Sequence, residues 1–216
     1  MIITCIAHAM FLMELDNGLR FVADPVGEAS GFPVSPVKAD VALVSHHHHD
    51  HCALENVPGA KVIETAGVHC PADGLRVTAV KSFHDDANGT KRGENLLFLI
   101  EAEGLRVAHL GDLGHLPTPA QREALGRVDV LLVPVGGFYT IDAAQARETA
   151  ALLGAKVILP MHYRTEVNAD WPITPVEAFT SQYPAVNVAE MPLVRITRDD
   201  LKCHKPVIVL TPQMKG

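Results

Sequence analysis

Ala39-Asp40-Val41-Ala42-Leu43-Val44-Ser45-His46-His47-His48-His49-Asp50-His51 is the stretch whose chemistry organises the chain. Residues 39–45 are a short apolar run of the kind that forms a buried strand. The run stops at six consecutive positions occupied only by histidine and aspartate. Imidazoles crowded into one small volume need a reason. The spacing His46-x-His48-x-Asp50-His51 puts two histidines on one side of an extended turn and directs Asp50 and His51 to an adjacent position as a helix begins. Such a set can serve two metal ions ~3.5–4 Å apart, the separation usual in two-metal hydrolases. A histidine tag would be terminal and would not end in Asp50-His51 at a strand-to-helix junction. A solvated histidine loop is the better reading of one isolated histidine, but accounts poorly for this run. His47 and His49, at the x positions, are expected to point away.

Working outward, three more residues occupy matching places. His84 follows the run 75–82, Asp112 follows 105–110 through Gly111, and His162 follows 156–159 through Pro160-Met161. A rigid strand would deliver each to a loop-rich rim, where a metal keeps an open position for water, as catalytic sites do. Singly, each reads better as a cap or a satisfied surface group; together with the histidine run, their coincidence favours ligation. His69 and His109 read as structural, and His115 as a group at the pocket edge.

Around these residues the pattern changes along the chain. Residues 2–6, 10–15 and 19–23 read as strands, with Asp16-Asn17-Gly18 as a hairpin turn. The proline- and glycine-rich stretch 25–36 reads as a surface loop. Segments 61–64, 75–82, 96–102 and 105–110 continue as strands. Beyond them, 119–125 reads as a helix, 129–133 as a strand, 142–153 as a longer helix capped by Asp142, and 156–159 as a strand. Meander first and alternating units later predict an α/β (α+β) sandwich of two facing sheets with helices outside, formed by 1–216 as one domain.

Composition narrows the partners. Lys and Arg total 18 against 25 Asp and Glu, a formal charge of -7, with no basic block. A long nucleic acid, held mainly through phosphate neutralisation, is disfavoured. No apolar run approaches the ~20 residues needed to span a bilayer, and the apolar start reads as a first strand rather than a leader. Cys5, Cys52, Cys70 and Cys203 are scattered and read as reduced thiols. A cytoplasmic protein acting on a small molecule is the expectation, with self-association left open.

The ordered set His46-x-His48-x-Asp50-His51, His84, Gly111-Asp112 and His162 resembles the metallo-β-lactamase superfamily signature, with Asp24 matching the aspartate that precedes it. The resemblance covers most of the chain, from the first strand to about His162. His8, Gly136-Gly137-Phe138-Tyr139-Thr140 and Pro160-Met161-His162-Tyr163 are most similar to the branch containing ascorbate-6-phosphate lactonase. His8 follows Ala7, and His47 stands in the motif, where that branch often has glycine. The tail after Thr174 adds nothing to the resemblance, and the length leaves no room for a large inserted nuclease domain or an added flavodoxin domain.

The resemblance implies a four-layer αββα sandwich and a site for two divalent ions. His46, His48 and His84 would hold one, Asp50, His51 and His162 the other, and Asp112 would bridge them. Zn²⁺ suits these ligands, while Mn²⁺, Fe²⁺ or Ni²⁺ would also be accepted. Asp24 would orient a histidine from behind. The ions would activate water for hydrolysis of a small ester, lactone or phosphoester, with Asp50 moving a proton and Asp112 beside it as the second catalytic carboxylate. Tyr139, Thr140, Tyr163, Arg164, Lys91 and Arg92 are candidates to contact a substrate, and a cation there would suit an anionic one. Rival readings are a phosphodiesterase or nuclease, an iron-dependent redox enzyme on the same fold, and a metal-binding module without turnover.

Overall fold

The opening hairpins build the first of two sheets in the computed structural model, which describes residues 1–213. Strands β1 (Ile2–Ala7), β2 (Met10–Glu14) and β3 (Arg20–Ala23) are antiparallel, and β4 (Val41–Leu43) and β5 (Lys61–Ile63) continue in parallel. The second sheet starts as an antiparallel meander of β6 (Gly67–Ala72), β7 (Leu75–Phe83), β8 (Glu94–Ala102) and β9 (Leu105–His109). It continues in parallel through β10 (Val130–Pro134) and β11 (Val157–Met161), linked by helices α1 (Pro119–Leu125) and α2 (Ala143–Leu153).

Local chemistry explains these elements. In β7, Leu75, Val77 and Ala79 are buried while Arg76 between them is exposed and Thr78 half-buried, the alternation of a half-buried strand. β10 and β11 are buried along their whole length, as central parallel strands are. Asp142 accepts from the Gln145 N–H at 2.9 Å, and its own N–H donates to Gln145 Oε1 at 3.1 Å, so the predicted cap is a full capping box. Ile3, Phe11, Phe21 and Leu43 meet Val77, Phe98, Val130 and Leu159 between the sheets. Each such side chain contributes ~1.5–3 kcal/mol relative to exposure. Leu125, Ala146, Ala150 and Leu153 pack the helices onto the outer face of the second sheet.

The outer face of the first sheet is covered differently. Met10, Val22 and Ala42 are closed over by Phe32, Val34 and Val57, with Trp171 packed alongside. The only helical turns in that layer, among the described residues, are Glu28–Ser30 and Leu54–Asn56. This also corrects the helix expected to begin at Asp50-His51: a tight turn, His51 N–H to His48 O at 3.0 Å, is followed by one short helical turn. Pro58 lacks the N–H needed to propagate it, and disfavours helical geometry at Val57.

Four strands arise where none was expected. β6 pairs on β7, and the last part of the chain supplies β12 (Val186–Ala189), β13 (Leu193–Arg195) and β14 (Val207–Leu210), besides a short helix α3 (Glu177–Thr180). β13 pairs with β1, while β14 and β12 extend the second sheet beyond β11. Val207-Ile208-Val209-Leu210 is an entirely buried apolar run, too short to separate strand from helix by period.

The four cysteines are unpaired. Burial between the sheets pushes the Cys5 thiol up to about 12, whereas Cys70 and Cys203 are exposed. A thiol reagent at neutral pH is expected to label Cys70 and Cys203 quickly and Cys5 only on unfolding, because the thiolate is the reactive form. Rapid labelling of native Cys5 would contradict its place in the core.

Topology then gathers one rim. β1, β3 and β4 run in one sense in the first sheet, and β7, β9, β10 and β11 run in one sense in the second. His8, Asp24, His46, His84, Asp112 and His162 all stand just past the C-terminal ends of these strands. No helix among the described residues is long and apolar enough to cross a membrane.

Candidate metal centre

Asp112 is the middle of the cluster. His84 Nε2 lies 3.0 Å and His162 Nε2 3.2 Å from its Oδ2, His46 Nε2 3.8 Å from the same oxygen, and His51 Nε2 3.3 Å from Oδ1. The Asp112 N–H donates to Asn95 Oδ1 at 3.0 Å, and the Asn95 amide donates to Ser82 Oγ at 2.8 Å and Leu110 O at 3.0 Å. Gly111, at φ 50°, allows this close turn: a Cβ there would sit 2.3 Å from Asn95 Oδ1 and 2.6 Å from Ser45 Cβ.

The histidines are held from behind. His51 Nδ1 lies 2.9 Å from Asp24 Oδ2, His46 Nδ1 2.9 Å from Ser45 Oγ, and His84 Nδ1 3.1 Å from the Tyr139 carbonyl. Asp24 is fully buried and also accepts from Ser45 N–H at 2.8 Å and Ser45 Oγ–H at 2.7 Å. Each Nδ1 thus has a partner and each Nε2 is turned inward, the arrangement that fixes a metal-binding tautomer.

Three overlapping groups of donor atoms lie within 4.8 Å of one another: His46, His48 and His84; His46, His51 and Asp112; and His8, Asp50, His51 and His162. All seven residues expected as ligands are therefore brought together. The protein alone leaves the cluster unsatisfied, since His46 Nε2, His51 Nε2 and Asp112 Oδ1 are buried with no hydrogen-bond partner. Buried polar atoms are rarely left so. The donor set fits divalent cations.

Electrostatics point the same way. Burial, reinforced by His51, lowers His46 to about 3, so its ring is neutral and ready to donate a lone pair. At His51 burial also opposes charge, but Asp112 and Asp24 outweigh it and hold the ring well above the ordinary histidine range, so a proton takes the place of a cation between these carboxylates and must leave as a metal binds. Burial would raise Asp112, yet His162 and His51 keep it well below the usual carboxylate range.

A cavity of about 450 Å³ opens over the cluster, walled by Tyr139, Trp171 and Arg92. A second, of about 620 Å³, lies beyond His46 and His48 and shares Arg92 and His48 with the first. The Arg92 guanidinium carbon stands 5.5 Å from the Tyr139 ring and 6.0 Å from that of Phe138. Its loop is tied by Asp85, which accepts from the N–H groups of Ala87 at 2.8 Å, Gly89 at 2.9 Å, Lys91 at 3.0 Å and Arg92 at 2.8 Å. Desolvation works against the charge of Asp85, but these N–H groups, led by that of Arg92, bring the carboxyl to about 2.

Other candidates fall outside. Lys91 pairs with Asp86 at 2.7 Å, Tyr163 packs with the helix-side core, Arg164 is exposed and does not line the cavity, and the Thr140 hydroxyl donates to Ile141 O at 3.1 Å. His115 does not reach the pocket: its Nδ1 lies 2.8 Å from Leu116 O, and its Nε2 accepts from Phe83 N–H. His109 is structural, between the Ala9 carbonyl at 2.9 Å and the Gly111 N–H at 3.1 Å. His47 turns toward Glu64, but exposed His49 borders the cavity, contrary to expectation. His8 and Trp171 are the contributions missed as parts of the site; His8 shares the position just past a strand, whereas Trp171 lies in a segment without a pattern.

A sequence profile of the beta-lactamase superfamily domain matches residues 2–162. The chain belongs to that superfamily. A UPF0173 metal-dependent hydrolase of Archaeoglobus fulgidus is 30% identical over 76% of this chain and 83% of its own length. Another, of Carboxydothermus hydrogenoformans, is 31% identical over 79% and 86%. The crystal structure of a proposed Zn-dependent hydrolase of the metallo-beta-lactamase superfamily, from Thermotoga maritima, superposes with a TM-score of 0.79 at 37% identity, covering 96% of this chain and 97% of that one. Membership places the chain among the metal-dependent hydrolases of the superfamily.

Proposed function

We propose that this hydrolase uses two divalent ions, Zn²⁺ foremost, to cleave a small ester, lactone or phosphoester that carries an anionic group. The observation that carries this reading is Asp112 ringed by four inward-facing imidazole nitrogens, two of them buried without a partner. His46, His48 and His84 would hold one ion, Asp50, His51 and His162 the other, with Asp112 between. When bound, the ions bring a water toward ionisation near neutral pH and polarise the scissile carbonyl or phosphoryl oxygen.

The chain's own groups do the rest. Asp50, bordering the cavity, takes the proton as water oxygen bonds to the carbonyl carbon or phosphorus, and returns it to the departing oxygen as that bond breaks. Asp24, Ser45 and the Tyr139 carbonyl keep three imidazoles aimed. Arg92, the only Lys or Arg among the described residues lining the nearer cavity, binds the anionic group, and Trp171 and Tyr139 form a wall that limits water. The charge of -7 and the cavity's size favour a small substrate over a nucleic acid strand.

The test is a hydrolysis screen of the Zn²⁺-loaded protein across anionic and neutral lactones, esters and phosphoesters. Arg92→Ala is expected to raise KM for the anionic members about 10–100-fold, the worth of one charge-assisted contact, with kcat nearly unchanged. Asp85→Ala should do the same more weakly, by freeing the loop. No hydrolysis of any class after metal loading overturns the reading; equal KM effects on neutral substrates overturn the role of Arg92.

A further inference from the structure

His8 lies outside the ligand set just described, and among the described residues it is the only side chain with two buried polar atoms that lack a partner. Its side chain is wholly buried, yet neither ring nitrogen has a hydrogen-bond partner. Nε2 stands 3.4 Å from Asp50 Oδ2, and the ring centroid 4.2 Å from that of His162. A donor atom of His8 shares one 4.8 Å group with those of Asp50, His51 and His162.

Backbone geometry places it there. A shift in the β1–β2 register between Cys5 and Ala7 re-aims the end of β1, as a bulge does. His8 itself adopts φ 55°, a left-handed conformation costly for a residue with a Cβ, and His162 opposite it adopts φ 52°. The His162 N–H reaches the His8 carbonyl at 3.5 Å, so the two strained turns meet. Phe32 stacks on the His8 ring at 5.1 Å and Trp171 meets it edge-on at 5.3 Å, fixing its plane. A strained backbone, a clamped ring and unsatisfied nitrogens beside a carboxylate are costs that a bound cation would offset.

We propose that His8 is a direct ligand of the second metal ion, completing a set of His8, Asp50, His51 and His162. The proposal rests on the two-ion reading above. It makes the ions unequal: all four of these ligands of the second are buried, whereas the first has exposed His48 among its ligands.

Metal binding, not turnover, tests it. Zn²⁺ competition against a chelating dye is measured for the wild type and His8→Asn, with circular dichroism to verify folding. The wild type should take up two ions, and His8→Asn should keep one at wild-type affinity and weaken the other by more than about 100-fold, beyond the 10–100-fold cost of losing a mere supporting partner. Two ions bound with a weakening inside that range, or none, overturns His8 ligation while leaving the two-ion reading intact. A wild type that binds no ion overturns both.

Should His8→Asn fail to fold, the Co²⁺-loaded wild type carrying ¹⁵N-histidine decides. Direct ligation predicts hyperfine-shifted signals from His8 together with His46, His48, His51, His84 and His162. Their absence from His8 while the other five are shifted overturns it.

Discussion

Asp112→Ala is expected to leave the protein with at most one firmly held divalent ion per chain and to lower turnover by at least ~10²–10³-fold, the loss that follows removal of one preorganised electrostatic group. Four imidazoles approach this carboxylate from strands of both sheets, and no neighbouring acid can take its place: Asp50 lies on the His8 side and Asp24 behind His51. Asp112→Asn should be nearly as damaging, because a neutral amide keeps the shape but not the charge that holds cations together. Titration with Zn²⁺ and steady-state kinetics on both variants make the check. Two ions held at wild-type affinity, with most of the activity retained, would remove Asp112 from the centre.

The second large effect concerns a residue that touches no substrate. Asp24 accepts from Ser45 twice and lies against His51, with no exposure to water. Asp24→Ala strands these partners in the interior, and loss of one member of a buried charged pair costs ~3–5 kcal/mol. For a chain of this size that lowers Tm by roughly 6–20 °C. The same change frees the His51 ring, and a tenth to a hundredth of the wild-type metal affinity should remain. Thermal melts of the metal-free protein separate the two contributions. An unchanged Tm there, with weakened metal binding, would reduce Asp24 to a ligand support; an unchanged affinity would make it purely structural.

The candidate ligands stood out because each is a metal-binding residue type in a segment that follows a strand, and strand ends survive small errors in the strand itself. The β4 strand proved three residues long against an expected seven, yet it still presents His46 at the rim. His8 was visible only as a likeness to a family branch. A lone histidine in an apolar hairpin has no periodicity to betray it, and its meaning depends on a bulge and on His162, far along the chain. Arg92 and Lys91 are indistinguishable as neighbours in a polar loop; the Asp85 hydrogen bonds turn one inward and leave the other paired at the surface. The profile match and the resemblance both stop at His162, yet β12, β13 and β14 complete both sheets. The outer layer over the first sheet is loop rather than helix because Pro25, Pro33, Pro36 and Pro58 interrupt it, so packing by Phe32, Val34 and Trp171 replaces regular structure.

That the donor groups come from both sheets has a consequence for how the protein is made. During synthesis His46, His48, Asp50 and His51 leave the ribosome long before Asp112 and His162 exist, so the nascent chain displays a cation-hungry segment with no partner strands. An ion bound at that stage would have only exposed, exchangeable ligands. In the two-ion reading a firm cation site therefore exists only once both sheets have paired, and metal affinity reports on complete folding.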